Sequence, residues 1–148
     1  MSDTPCEELL LDNQLCFALY STSLLMTKVY KPLLQELGLT YPQYLAMMVL
    51  WEADGITVGE ISNRMLTDPG SLTPLLKRLE VEGLITRTRS SKDERVVELR
   101  LTEQGRALKD RARSVPACIL AATELTTDHL GNLRDELVSL RNSLGKAV

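Results

Sequence analysis

The feature that most constrains the fold is the segment 70–100, where a short helical pattern leads directly into two arginine-rich β segments. Four leucines recur at the i, i+3, i+4 and i+7 spacing of one buried helix face: Leu72, Leu75, Leu76 and Leu79. Gly83 is a typical helix stop, and residues 84–90 and 96–101 are predicted to form two strands around a charged turn. A helix followed at once by a basic hairpin predicts a winged helix-turn-helix, with that helix in the major groove of DNA and the wing beside it.

The residues before this segment are predicted to be helical. A long helix is expected over about residues 9–37, and a second over 41–52 with Thr40 as its N-cap. A third, short helix carries the apolar residues Val58, Ile61 and Met65. A turn at residues 67–70 should separate it from the helix that reads DNA, with Ser71 and Thr73 opening that helix. Two short helices with a tight turn between them make a helix-turn-helix.

The C-terminal part should be helical too. Thr102 is expected to cap a helix that restarts near Pro116, and Gly131–Asn132 should break it before a last amphipathic helix. Phe17 and Trp51 are expected in the core, and His129 at the surface of the last loop. The fold predicted is mainly α with a small β wing. Because both ends are rich in leucine, we expect the N- and C-terminal helices to intertwine with a partner chain as a homodimer.

Composition fits one soluble globular domain of 148 residues, 44% hydrophobic and 25% charged. No apolar run approaches the roughly 20 residues of a membrane span, and the acidic N-terminal stretch lacks the basic region of a signal peptide. We therefore expect a cytoplasmic protein with no membrane partner.

The charge distribution is uneven along the chain. Between Lys77 and Arg113 there are eleven basic and seven acidic residues, which gives this stretch a net charge of +4 in a chain of −3. One basic face on an acidic body suits a protein that touches DNA on one side, although a solvated charged face would look the same.

The three cysteines, Cys6, Cys16 and Cys118, form no CxxC pair, and His129 is the single histidine. No zinc site of the usual spacing can be built from them, and we expect no metal, no cofactor and no catalytic residues. In a cytoplasmic chain the cysteines are expected to be free thiols.

Two segments carry a resemblance to a known family. Residues 72–105, LTPLLKRLEVEGLITRTRSSKDERVVELRLTEQG, resemble the reading helix and wing of the MarR-type bacterial repressors. Residues 15–52, LCFALYSTSLLMTKVYKPLLQELGLTYPQYLAMMVLWE, resemble the organic-hydroperoxide-sensing branch, the OhrR type. The resemblance implies one MarR-type domain over 1–148, with dimerisation helices at about 1–37 and 103–148 and the DNA-binding region at about 41–102. It also implies a homodimer that binds palindromic double-stranded DNA. The homodimer would release this DNA when organic hydroperoxides oxidise one cysteine.

The resemblance implies a role for several residues of the redox site. Cys16 occupies the peroxide-reactive position, and Cys118 lies about where two-cysteine members carry a resolving cysteine. Tyr30 and Tyr41 fall where tyrosines reach the thiolate from the other subunit, and Tyr20 lies one helical turn beyond Cys16. Peroxides are attacked by thiolates, and tyrosine hydroxyls could stabilise that anion by hydrogen bonds. The alternative is that these residues are ordinary core thiols and aromatics.

The DNA contacts implied lie on the reading helix and the wing: Ser71, Thr73, Lys77, Arg78, Arg87, Asp93 and Arg95. Asp93 would hold the wing and Arg95 would enter the minor groove. An ordinary salt bridge within the wing is the alternative for Arg95.

Four functions remain open from the sequence. The leading one is a redox-switched repressor. The others are a MarR-type repressor released by a phenolic or drug-like ligand, a small thiol peroxidase using Cys16 and Cys118, and a protein-binding winged helix. A peroxidase needs neither a reading helix nor an arginine-tipped wing.

Overall fold

The computed structural model describes residues 6–148, which form two compact units, one ending at Ala112 and one running from Arg113 to Val148. The first unit holds two short 3-10 helices, Glu7–Leu9 and Leu11–Asn13, followed by helices α1 to α5 and strands β1 to β3. These are α1 (Leu15–Gln35), α2 (Tyr41–Glu52), β1 (Ile56–Thr57), α3 (Val58–Met65), α4 (Pro69–Val81), β2 (Ile85–Arg89), β3 (Val97–Leu101) and α5 (Glu103–Ala112). The second unit is α6 (Val115–Thr123) and α7 (Thr127–Lys146).

The predicted winged helix-turn-helix is confirmed in its elements and their order. Helices α3 and α4 form the helix-turn-helix, and β2 and β3 pair antiparallel with Ile85 opposite Leu101. Strand β1 adds to the other edge of β3, so the sheet order is β1-β3-β2. Gly83 ends α4 with a φ of +79°, a left-handed conformation that glycine adopts without a Cβ penalty, and the chain then turns directly into the wing.

Several helices start at a side-chain cap. Thr40 and Thr57 each form a capping box, with Gln43 and Glu60 respectively. The hydroxyl accepts a backbone N–H while the third residue's side chain accepts the N–H of the cap, which satisfies two donors that the helix leaves free. The predicted bounds of α2 are confirmed by this cap.

The core of the first unit lies between its helices and the sheet. Its largest fully buried side chains come from α1, α2, α3, α4 and the two wing strands: Leu34, Met47, Leu50, Ile61, Leu72, Leu76, Leu79, Ile85 and Leu99. Of the four leucines predicted to share one face of α4, three are buried and Leu75 is half-buried. The exposed residues of α4 and the wing are thereby held on a rigid support.

The predicted start of α1 was wrong, because the chain before Leu15 forms two 3-10 turns. Gln14 adopts an extended conformation, and its side-chain amide donates to the carbonyls of Glu8 and Leu10 at 2.8 and 2.9 Å. Asn13 donates in the same way to the Glu7 carbonyl at 2.8 Å. These side-chain bonds take the place of helical backbone bonds.

The turn predicted at residues 67–70 is shorter than expected, because Pro69 and Gly70 belong to α4. Asp68 is the N-cap, and proline is favoured in the first helical turn, where its missing N–H is not needed. Ser71 and Thr73 therefore lie inside the first turns of the helix and do not open it.

The break predicted at Gly131–Asn132 was also wrong, and so was the placement of His129 in a loop. Both lie inside α7, which starts where the Thr126 hydroxyl accepts the N–H of His129. The break occurs earlier, at Glu124, whose φ of +58° is left-handed. One glycine costs a helix about 1 kcal/mol, too little to stop it here.

Both terminal helices expose apolar side chains in the single chain. On α1 these include Leu15, Leu24 and Leu25, and the expectation that Phe17 is buried was wrong, since it is 37% exposed. On α7 they are Leu133, Leu137 and Leu144. None of the helices among the described residues is both long enough and apolar enough to span a bilayer.

Candidate redox site and nucleic-acid interface

Cys16 is the second residue of α1, and its thiol is free and exposed. Cys118 lies on α6 in the second unit and is likewise free and exposed. The Cys6 thiol donates to the Glu8 carboxylate at 2.9 Å, and this bond helps hold the pKa of Glu8 below its usual value. All three cysteines are therefore exposed in the single chain, and none is in a disulfide with another.

Three of the four tyrosines form a cluster where α1 packs on the start of α2. The ring centroids of Tyr30 and Tyr41 are 4.9 Å apart, and Tyr44 lies 6.0 Å from Tyr30 and 6.5 Å from Tyr41. These three residues are called the tyrosine cluster below. Tyr20 is 63% exposed and has no ring contact within the described residues. The predicted pair Tyr30 and Tyr41 is thus in contact, while Tyr20 stands apart and Tyr44 is an addition that the sequence did not single out as part of the site.

The hydroxyls of the tyrosine cluster are protonated at neutral pH. Burial, followed by the proximity of Tyr41 and Tyr44, raises the pKa of Tyr30 to about 12. Burial also raises the pKa of Tyr41, and burial together with Tyr41 raises that of Tyr44. A neutral phenol can donate a hydrogen bond, so the cluster offers donors suited to an anionic oxygen or sulfur.

The N-terminal turn of the reading helix α4 is fixed by Asp68. One carboxylate oxygen accepts the Ser71 N–H at 2.8 Å, and the other accepts the Ser71 hydroxyl at 2.9 Å. These two bonds, the backbone one first, lower the pKa of Asp68. Asp68 was predicted to lie in a turn and not to cap α4, although an aspartate directly before a proline is a common helix start.

The predicted DNA-binding residues of α4 differ in how free they are. Lys77 and Arg78 are exposed, and Arg78 Nε lies 3.1 Å from Glu82 in an i,i+4 ion pair. Lys77 makes no ion pair within the described residues. The Thr73 hydroxyl donates to the Pro69 carbonyl at 3.0 Å.

The tip of the wing is held by Asp93 and Arg95. Asp93 Oδ1 accepts from the Arg95 backbone N–H at 3.0 Å and from Nε at 3.2 Å, bonds that lower the pKa of Asp93. The Arg95 side chain is nevertheless 91% exposed, so its guanidinium can leave this pair for another anion. Arg87 Nε lies 3.4 Å from Glu80, which ties the first wing strand to α4.

Apart from Cys118, which lies on α6 in the second unit, the predicted site residues fall into two groups. The tyrosine cluster and Cys16 lie on α1 and α2, and the basic residues lie on α4 and the wing, all within the first unit. No group of three or more His, Cys, Asp or Glu side chains in residues 6–148 could hold a metal ion.

Residues 28–112 match the family model of the transcriptional regulators SarA/Rot. The organic hydroperoxide resistance transcriptional regulator of Bacillus subtilis is 48% identical over 134 residues, covering 90% of this chain and 91% of the relative.

Two solved relatives have the same fold. Reduced AbfR bound to DNA, from Staphylococcus epidermidis, has a TM-score of 0.77 at 33% identity, covering 93% of this chain and 96% of that one. Disulfide-formed AbfR has a TM-score of 0.64 at 31% identity, with coverage of 95% and 93%. A MarR-family regulator from Rhodococcus has a TM-score of 0.79 at 25% identity, with coverage of 89% and 95%. On these similarities, the chain belongs to the MarR family of transcriptional regulators, in the organic hydroperoxide resistance type.

Proposed function

We propose that this chain is a redox-sensing, cytoplasmic transcriptional repressor that binds palindromic operator DNA as a homodimer and releases it when an organic hydroperoxide oxidises Cys16. The observation that carries the proposal is that one compact unit holds both an exposed Cys16 thiol and a winged helix-turn-helix with exposed basic residues. The 48% identity to an organic hydroperoxide resistance regulator supports the choice of signal.

The chemistry begins with the thiolate of Cys16. It attacks the terminal oxygen of the hydroperoxide, and the O–O bond breaks. The alkoxide leaves and takes up a proton to become the alcohol. Sulfur is oxidised by two electrons to a sulfenic acid while the peroxide is reduced. No metal or cofactor takes part in this step.

The tyrosine cluster is the proposed support of the reacting sulfur. Tyr30 and Tyr41 are in ring contact and carry neutral hydroxyls, which can donate to a thiolate or a sulfenate. A hydrogen bond to a charged acceptor is worth about 1.5–3 kcal/mol. These donors are proposed to lie against Cys16 of the partner chain, as the family resemblance implies. Tyr20, one turn from Cys16 on α1, is proposed to line the same pocket.

A homodimer accounts for the exposed apolar faces of α1 and α7. Removing the side chains of leucines such as Leu24, Leu25 and Leu137 from water is favourable, and helices from a second chain would bury them. The proposed division of the chain follows, with dimerisation helices at about 1–37 and 103–148 and the DNA-binding region at about 41–102.

Cys118 is the proposed resolving cysteine. Its thiolate would attack the Cys16 sulfenic sulfur, form the S–S bond and release hydroxide, which leaves as water. A disulfide requires Cα atoms within about 7 Å, and in an intertwined dimer the two cysteines can come from different chains. The disulfide form of the relative AbfR supports this route.

Binding to DNA is assigned to α4 and the wing. Two reading helices of a dimer would enter successive major grooves about 34 Å apart. Ser71, Thr73, Lys77 and Arg78 would contact the major groove or its phosphates from α4, while Arg87 and Arg95 would contact DNA from the wing, which Asp93 orders. A thiol peroxidase would use the same cysteine, but that activity gives no role to this basic face.

The test is the DNA affinity of wild type and Cys16→Ser before and after one equivalent of cumene hydroperoxide per subunit. The DNA is that upstream of the chain's own gene. Cys16→Ser should bind the DNA when reduced and keep it after treatment, because serine fills the space but forms no sulfenate. Cys6→Ser is the matched control and should release DNA as wild type does. Release from Cys16→Ser at the wild-type dose would remove the redox mechanism.

A further inference from the structure

Trp51 connects the tyrosine cluster to the opposite side of the first unit. Its ring and that of Tyr44 are arranged edge to face, with ring centroids 6.4 Å apart at an interplanar angle of 72°. Its indole Nε1 donates to the backbone carbonyl of Gly105 on α5 at 2.9 Å. Trp51 was expected to be a core residue, and it is instead half-buried, with a polar contact across 54 residues of sequence.

The hydroxyl of Thr102 continues this connection. It accepts the Gly105 N–H at 3.0 Å and donates to the carbonyl of Gly83 at 2.6 Å. The Thr102 N–H donates to the carbonyl of Leu84 at 3.1 Å. Gly83 and Leu84 are two of the three residues between the end of α4 and the start of β2, so these bonds fix the junction of reading helix and wing.

The packing at this junction is tight. A Cβ on Gly105 would overlap the carbonyl oxygen of Leu84, and it would lie 3.3 Å from Cδ2 of Leu101. Close-packed backbone transmits a displacement, because its neighbours cannot absorb it. A shift of Trp51 therefore moves α5, and a shift of α5 moves the junction after α4.

We propose that Trp51 and Thr102 are positioning residues that join the tyrosine cluster to the end of α4, so that a displacement of the cluster reorients the reading helix and the wing. This inference rests on the proposed function, because it gives the path by which oxidation of Cys16 changes DNA affinity. The path runs from Tyr44 through Trp51, the Gly105 peptide and Thr102 to Gly83. Each link is a contact of the first unit alone, so the path needs no contact made by α6 or α7.

Two substitutions interrupt the path by removing a hydrogen-bonding group. Trp51→Phe keeps an aromatic ring against Tyr44 but removes the donor to Gly105. Thr102→Val has nearly the same volume as threonine but no hydroxyl, and Thr102→Ser restores the hydroxyl. Thr57→Val is the matched control, because Thr57 also caps a helix through its hydroxyl but has no part in the path.

The experiment measures the DNA dissociation constant of each full-length variant in the reduced state and after oxidation by cumene hydroperoxide. The ratio of the two constants is the readout, together with urea unfolding of the same samples. We expect the ratio to fall about fivefold or more in Trp51→Phe and Thr102→Val, the scale of an ordinary coupling between two sites. Thr102→Ser and Thr57→Val should keep the wild-type ratio.

Several results would overturn the inference. One is a wild-type ratio in both Trp51→Phe and Thr102→Val, since the path would then carry no coupling. Another is an equal fall in Thr57→Val at equal loss of stability, since the effect would then come from destabilisation alone. If wild type itself keeps its DNA after Cys16 is oxidised, the proposed function fails, which differs from a failure of the path.

Trp51 also supplies a second readout that needs no DNA, because it is the single tryptophan of the chain. Its emission in wild type, excited away from tyrosine, should change when hydroperoxide is added and should stay constant in Cys16→Ser. Should the wild-type emission stay constant while Cys16 is oxidised, the cluster does not move against Trp51, and the inference is wrong.

Discussion

Replacing Gly105 by alanine tests the tightest contact of the first unit. The added methyl would overlap the Leu84 carbonyl oxygen, a backbone atom held by the Thr102 N–H. Helix α5 must then move away from the junction between α4 and β2. This movement stretches the bond from Trp51 to the Gly105 carbonyl and the bond from the Gly105 N–H to Thr102.

The expected loss of stability follows from these contacts. Overpacking of this kind costs about 1–3 kcal/mol, and each weakened hydrogen bond costs about 1 kcal/mol. Alanine in place of glycine returns at most about 1 kcal/mol through helix propensity. We therefore expect Gly105→Ala to lower the free energy of unfolding by about 2–4 kcal/mol.

Gly145→Ala is the matched control, because a Cβ at Gly145 on α7 meets nothing within 4 Å. It should leave stability unchanged or raise it by up to about 1 kcal/mol. Both variants are unfolded in urea at one protein concentration, since the stability of a dimer depends on concentration. A Gly105→Ala protein as stable as wild type would refute the claim that α5 is pinned against the wing junction.

Two further predictions concern the wing and the tyrosine cluster. Arg95→Ala should weaken operator binding by about 1–3 kcal/mol and make the binding less dependent on salt; an unchanged affinity with the fold intact would exclude the wing from DNA binding. The pKa of Tyr30, about 12 when folded against an ordinary 10.0, means that its stabilising contribution is fully present below about pH 10 and is lost as pH rises towards 12. Urea titration should show that the unfolding free energy falls less between pH 10 and 12 in Tyr30→Phe than in wild type. An equal fall in the two proteins would show that Tyr30 titrates as it does in the unfolded chain.

The winged helix-turn-helix was predictable because its signals are local. The leucine spacing of α4, the glycine that ends it and the cap at Thr40 each act within one or two turns of helix. Each of these positions agrees with the fold around it, so local patterns were sufficient for the order of helices and strands.

The boundaries that failed were decided by competition between weak preferences. Gly131 was predicted to break the last helical region. Instead, Thr126 caps a helix that continues through Gly131, and the chain turns at Glu124. Asp68 starts α4 before a proline and a glycine that look like turn residues. A sequence pattern treats such residues one at a time. In the folded chain, the helix starts at the cap that satisfies the most backbone N–H donors.

Contacts between residues distant in sequence could not be read from any spacing. Tyr44 joins Tyr30 and Tyr41 because α1 packs on α2, and Trp51 meets Gly105 because α5 returns beside α2. The sequence supplied the aromatic residues, and only the tertiary fold brought them together.

The central claim is that oxidation of Cys16 causes the release of DNA, and one paired measurement tests it most directly. Hydroperoxide is added to the wild-type protein–DNA complex in fractions of an equivalent per subunit. In each sample, fluorescence anisotropy of labelled DNA gives the bound fraction and mass spectrometry gives the oxidised fraction of Cys16. The account predicts that the two fractions change together and that release is complete at about one equivalent of hydroperoxide per subunit. Full oxidation of Cys16 with the DNA still bound, or release while Cys16 remains reduced, would contradict it.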